Sequence, residues 1–130
     1  MLPWSRALTD FDINRLISKT SLSSLFQGVF SRDEILKRQF SFLPIECGII
    51  NLDLESGIGT HWTAYFKTKN RVYYYDSFEN LQPPKEFISL FDKYEIFYNR
   101  NRDQEFNSVI CGQLSLCFLF KCHLDFIKEI

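Results

Sequence analysis

Helical spacing and two-residue alternation of apolar positions divide the chain into a handful of segments. Near the start, Thr9 or Asp10 is placed to cap a helix, and Phe11, Leu16 and Ile17 give it a partial apolar stripe through about Ser18. Residues 25–30 form a short extended piece. Ser31-Arg32-Asp33-Glu34 matches a capping box and predicts a short helix from Arg32. Residues 45–52 are strongly β-like, whereas residues 53–60 hold Gly57 and Gly59 and predict a loop. Two β-branched or aromatic runs, 61–66 and 71–76, flank a polar turn and predict an antiparallel hairpin. Pro83-Pro84 opens a helix through about Phe91, with Phe87, Leu90 and Phe91 on one side. Residues 93–98 alternate as a strand does, and 99–108 are polar. From Cys111 to about His123 the pattern is helical and apolar on nearly every side, as in a buried helix. The expected class is α+β: a central, mostly antiparallel sheet packed by helices, one of them buried.

The chain has 130 residues, which fits one domain over 1–130. We divide it into an N-terminal helical segment, about 1–25, and a core, about 26–124. The aromatic fraction of 17% is high for this size and predicts large rings in the interior, among them Phe11, Phe87, Phe91, Phe118 and Phe120. Net charge is −1, with 15 basic and 16 acidic residues, which argues against a protein whose main task is gripping phosphates. No apolar stretch approaches the ~20 residues of a membrane span, and no signal-peptide pattern stands at the start. The expectation is an intracellular or virion location, not secretion, and no membrane partner.

Four cysteines, Cys47, Cys111, Cys117 and Cys122, then read as free thiols, and their spacing matches no zinc motif. We expect no metal and no cofactor. Cys117 and Cys122 fit small buried core residues, and His123 fits a helix-end partner. Cys111 differs, because it stands where a polar segment meets a helix. A thiolate there is favoured by the helix dipole and by unpaired N–H groups. His61 begins a strand and Asp76 ends the neighbouring one, so a hairpin brings the two together. His61 alone is compatible with an ordinary strand histidine. With Cys111 and Asp76 it makes the set used in thiol-based acyl transfer. Such chemistry needs an oxyanion donor, and Gln104, in the loop before Cys111, has a side-chain amide to offer beside the Cys111 N–H. A solvated loop glutamine is the plainer reading of Gln104 by itself.

The ordered stretches Gly59-Thr60-His61-Trp62, Tyr74-Tyr75-Asp76-Ser77-Phe78 and Gln104 through Cys111-Gly112-Gln113-Leu114 resemble the adenovirus-protease-like (adenain) branch of the cysteine proteases, which includes the SUMO-specific proteases. The phrasing at residues 46–53 and 76–84 is similar to the proteases of large mobile DNA elements and related DNA viruses (Polintons, adintoviruses). One departure is Glu79, where the family's Asp-Ser-Phe-Gly has glycine.

The resemblance implies the adenain-type fold, with the catalytic cysteine at the N-terminus of a buried helix. It makes Cys111 the nucleophile, His61 the base and then the acid, Asp76 the group that orients His61, and Gln104 the oxyanion donor. Trp62 would pack beside the site, and Gly57 and Gly59 would help form a narrow groove, although an ordinary tight loop explains both glycines as well. The implied activity is an endopeptidase that cleaves after Gly-containing sites to mature viral or virus-like capsid precursors. The implied partner is a polypeptide substrate with a Gly-rich cleavage site, acted on by a monomer. An activating viral peptide is a family feature. DNA activation is not expected, since the basic clusters at residues 67–71 and 100–102 are short. The alternatives are a protease that removes a ubiquitin-like modifier, or an inactive protease fold used for binding.

Overall fold

The computed structural model describes residues 6–36, 44–52, 61–77, 83–99 and 110–129. Its centre is a five-stranded sheet built from β1 (Phe26–Ser31), β2 (Glu46–Asn51), β3 (Trp62–Lys67), β4 (Arg71–Tyr75) and β5 (Glu95–Tyr98). The strands lie in sequence order. β2, β3 and β4 pair antiparallel, while β1 joins β2 and β5 joins β4 in parallel. The parallel edges follow from the connections: a helix or turn separates each outer strand from its neighbour, as a crossover between parallel strands requires.

Among the described residues, three helices and two 3-10 turns accompany the sheet. They are α1 (Asp10–Ser18), α2 (Lys85–Leu90), α3 (Cys111–Glu129), and the turns Ser21–Ser24 and Glu34–Leu36. Period-two alternation splits the strands between two apolar layers. Cys47, Ile49, Ala64 and Phe66 face α1 and α3, where they meet Ile13, Ile17, Leu116 and Leu119. Ile50, Tyr65, Val72 and Tyr74 face the other way, onto Ile35, Phe87 and Phe91. With both faces covered, β2 is buried at every position, which is why its sequence runs apolar without clean alternation. The second layer is built largely of rings. Phe87 lies 5.7 Å from Tyr65, 5.1 Å from Tyr74 and 4.8 Å from Phe91, centroid to centroid.

Local chemistry sets the ends of the elements. Thr9 caps α1 through a reciprocal box: its hydroxyl accepts from Asp12 N and its own N–H donates to Asp12. Gly28, at φ 139°, sits in the irregular register between Phe26 and Val29 of β1, a conformation side chains rarely adopt. Gly48 lies opposite Tyr65, and a Cβ on it would stand 2.6 Å from the Tyr65 ring.

Several sequence expectations change. Phe11 is 70% exposed, because the buried residues of α1 are Ile13 and Ile17, and Phe11 lies on the opposite side of the helix. The Ser31 box holds, with Glu34 accepting from Ser31 N, but it opens a 3-10 turn at Glu34 instead of a helix at Arg32. α3 continues past His123 to Glu129, since no glycine or proline stops it. It is laid on the sheet with one face buried. Cys117 is exposed, as are Leu124 (58%) and Ile127 (51%) on its outer side. No helix among the described residues is long and apolar enough to cross a membrane.

Candidate active site

The antiparallel pairing of β3 and β4 runs to Ala64 opposite Tyr75, so the residues just before β3 and just after β4 emerge at the same sheet end. These are His61 and Asp76. His61 Nε2 lies 2.7 Å from Asp76 Oδ1, with Asp76 1% and His61 7% exposed. A carboxylate so placed accepts the Nε2 proton, fixes the tautomer and leaves Nδ1 for another partner.

That partner comes from α3. Cys111 is the first residue of the helix, is 6% exposed, and lies near enough to His61 for each group to shift the other's ionisation. The Trp62 N–H donates to Cys111 Sγ at 3.4 Å. Burial opposes ionisation of Cys111, but the His61 hydrogen bond and charge, with the Trp62 and Gly112 N–H groups, outweigh it and lower the thiol pKa. On His61, burial disfavours the charged ring. The hydrogen bonds to Asp76 and Cys111, and their charges, outweigh burial and raise its pKa to about 9. Cys47 and Cys122 behave oppositely: burial pushes both thiols up to about 12. Cys117 is also raised. Cys111 is thus the one thiol, among the four, that the fold drives toward thiolate.

Close packing holds α3 in register with this pair. A Cβ on Gly112 would meet Leu8 Cβ at 3.1 Å and Trp62 Cδ1 at 3.2 Å, so glycine lets the helix start approach the strand. Trp62 Nε1 donates to Leu8 O (2.9 Å), Gln113 Nε2 to Arg6 O (2.6 Å) and Ser115 Oγ to Trp62 O (3.3 Å). The N-terminal segment is therefore part of the frame behind the site. On the same side, Tyr75 stacks on Phe118 with centroids 4.9 Å apart and planes at 11°.

Of the sequence-predicted residues, Cys111, His61 and Asp76 come together, with Trp62 beside them. Gln104, Gly57 and Gly59 lie outside the described residues, as does Phe78. Three contributors escaped the sequence reading. Gln113 and Ser115 look like ordinary polar residues in an apolar helix, although burial of a polar side chain there demands a partner. Asn99 follows β5, donates to Asp76 O at 2.7 Å and accepts from Asp76 N at 2.8 Å. The only available signal was its position at a strand end.

No protein-family model matches the chain, and no curated protein matches it. Among solved structures, the fold is similar to the central domain of the uncharacterized Lpg1148 protein from Legionella pneumophila, with a TM-score of 0.62 and 12% identity, covering 93% of this chain and 77% of that one. It is also similar to the ASFV pS273R protease, with a TM-score of 0.51 and 17% identity, covering 87% of this chain and 57% of that one. The chain thus spans little more than half the length of that protease. At these identities the likeness is one of fold, and it places this α+β architecture beside a protease structure.

Proposed function

We propose that this chain is a thiol endopeptidase in which Cys111 is the nucleophile, His61 the proton carrier and Asp76 the group that orients His61. One observation carries the reading: a buried His61–Asp76 hydrogen bond of 2.7 Å beside a cysteine at a helix N-terminus whose thiol is driven toward thiolate. The ASFV neighbour, a protease by name, shares the fold and supports the same reaction class.

The chemistry follows from the pair. The Cys111 thiolate attacks the scissile carbonyl carbon, forming a C–S bond while the carbonyl π electrons move to oxygen. In this mechanism the Cys111 N–H, at the helix start, and the Gln104 amide donate to that oxyanion. The imidazolium of His61 gives its proton to the leaving nitrogen as the C–N bond breaks, which leaves a thioester. Water then attacks, His61 takes its proton, and the C–S bond breaks to restore the thiolate. Asp76 accepts from His61 Nε2 and holds the ring throughout.

The substrate class rests on the ordered His-Trp, Asp and Gln-to-Cys-Gly motifs. We assign a peptide with a Gly-containing cleavage site, in a precursor of a virus or virus-like element, with Gly57 and Gly59 helping to form a narrow groove. Cleavage of Gly-Gly-containing peptides by the wild-type chain and by Cys111→Ala tests the reading. The expected outcome is cleavage by the first and none above background by the second. Equal cleavage by both would overturn it.

A further inference from the structure

Two hydrogen bonds of the Asn99 carboxamide end on the backbone of a single residue, Asp76. The amide nitrogen donates to Asp76 O at 2.7 Å and the amide oxygen accepts from Asp76 N at 2.8 Å. β4 and β5 are in parallel register through Tyr74 opposite Tyr98, and Asn99 is the first residue beyond that register. Its side chain therefore continues by itself the sheet pairing that the β5 backbone has just ended.

The consequence is geometric. The N–H and C=O of Asp76 belong to the two peptide planes that flank its Cα. Holding both planes fixes the backbone dihedrals of Asp76, and with them the direction of its Cα–Cβ bond. That bond aims the carboxylate at His61 Nε2, 2.7 Å away. We infer that Asn99 is a positioning residue for the reaction: it acts through Asp76, holding the carboxylate on His61 and so the ring on Cys111. This inference rests on the endopeptidase reading and adds a residue to it. Asn99 touches neither reacting atoms nor substrate in this role.

A plain strand-end asparagine would affect stability alone, so the test needs a readout that stability does not move. That readout is the pH midpoint of Cys111 alkylation by iodoacetamide, followed by mass spectrometry so that Cys111 is read apart from the other three cysteines. Among the described residues, the ionisable groups acting on Cys111 are His61 and, through it, Asp76, and replacing Asn99 with a neutral residue adds no charge. Asn99→Ala is expected to move the midpoint upward toward the ordinary thiol value of ~8.5. It is also expected to lower kcat for a Gly-Gly-containing peptide by up to ~100-fold with KM little changed, the scale of a small misplacement of a catalytic group. Because Asn99 acts through Asp76, the same substitution made in an Asp76→Ala background should add little further loss.

If Asn99→Ala does not fold, Asn99→Ser, too short to span both bonds, is read in the same way. A lowered melting temperature with midpoint and kcat at wild-type values would overturn the inference, as would full additivity with Asp76→Ala. Failure of the underlying reading looks different. There the wild-type Cys111 itself would titrate at ~8.5, whatever stands at residue 99.

Discussion

At the scale of single residues, the site is an exchange of influence between one thiol and one imidazole inside a largely buried corner. Burial taken alone would neutralise both groups, as it neutralises the thiols of Cys47 and Cys122. Asp76, with the mutual charge and hydrogen bonding of the pair, reverses that outcome for His61 and Cys111, which sets the pH window of the proposed activity. The thiolate population grows as pH rises through the lowered Cys111 pKa, while the imidazolium persists until about 9. Between the two lies the reactive ion pair. We therefore expect the peptide cleavage rate to plateau below about 9 and to fall above it as His61 loses its proton, which a rate profile across pH 5 to 10 would check. The linked stability has a fixed sign. Because the folded value of His61 lies above the ordinary 6.5, its stabilisation is complete below ~6.5 and is lost as pH rises through about 9.

At the scale of elements, the hairpin of β3 and β4 brings His61 to Asp76, and α3 delivers Cys111. Much of this was legible beforehand. The aromatic and β-branched runs on either side of a polar turn specify the hairpin, and the polar-to-apolar switch at Cys111 marks the helix start. The parallel pairing of β1 with β2 and of β5 with β4 was not legible, because partner choice at a sheet edge depends on crossovers far along the chain. Nor was the exposure of Phe11, since a nine-residue helix with few apolar positions leaves its inward face open to more than one reading. Glycines at element contacts carry a testable consequence. Gly48→Ala would place a methyl 2.6 Å from the buried Tyr65 ring, which has no free side to move into. We expect a loss of about 1–3 kcal/mol from this overpacking, read as a lower urea midpoint, with the Cys111 alkylation midpoint unchanged in the folded protein.

At the scale of the whole molecule, the site exists only when distant parts of the chain close on each other. Trp62 and Cys111 are 49 positions apart, and the brace from Gln113 to Arg6 spans 107. The ordered motifs singled out Cys111, His61 and Asp76, which the fold brings together, yet the frame that holds them was hidden. Arg6 and Leu8 contribute backbone carbonyls, which leave no mark in a sequence, and Asn99 contributes a carboxamide that no residue-type rule singles out. Leu8, Ile13 and Ile17, from the N-terminal helical segment, belong to the same apolar layer as Leu116 and Leu119. In the proposed mechanism, folding itself turns Cys111 into a thiolate nucleophile paired with His61. The most direct measurement is the pH midpoint of Cys111 alkylation in three samples: native protein, the same protein unfolded in urea, and native His61→Ala. We expect a native midpoint well below ~8.5 that returns toward ~8.5 on unfolding and on removal of His61. A native midpoint already at ~8.5, equal in all three, would contradict it.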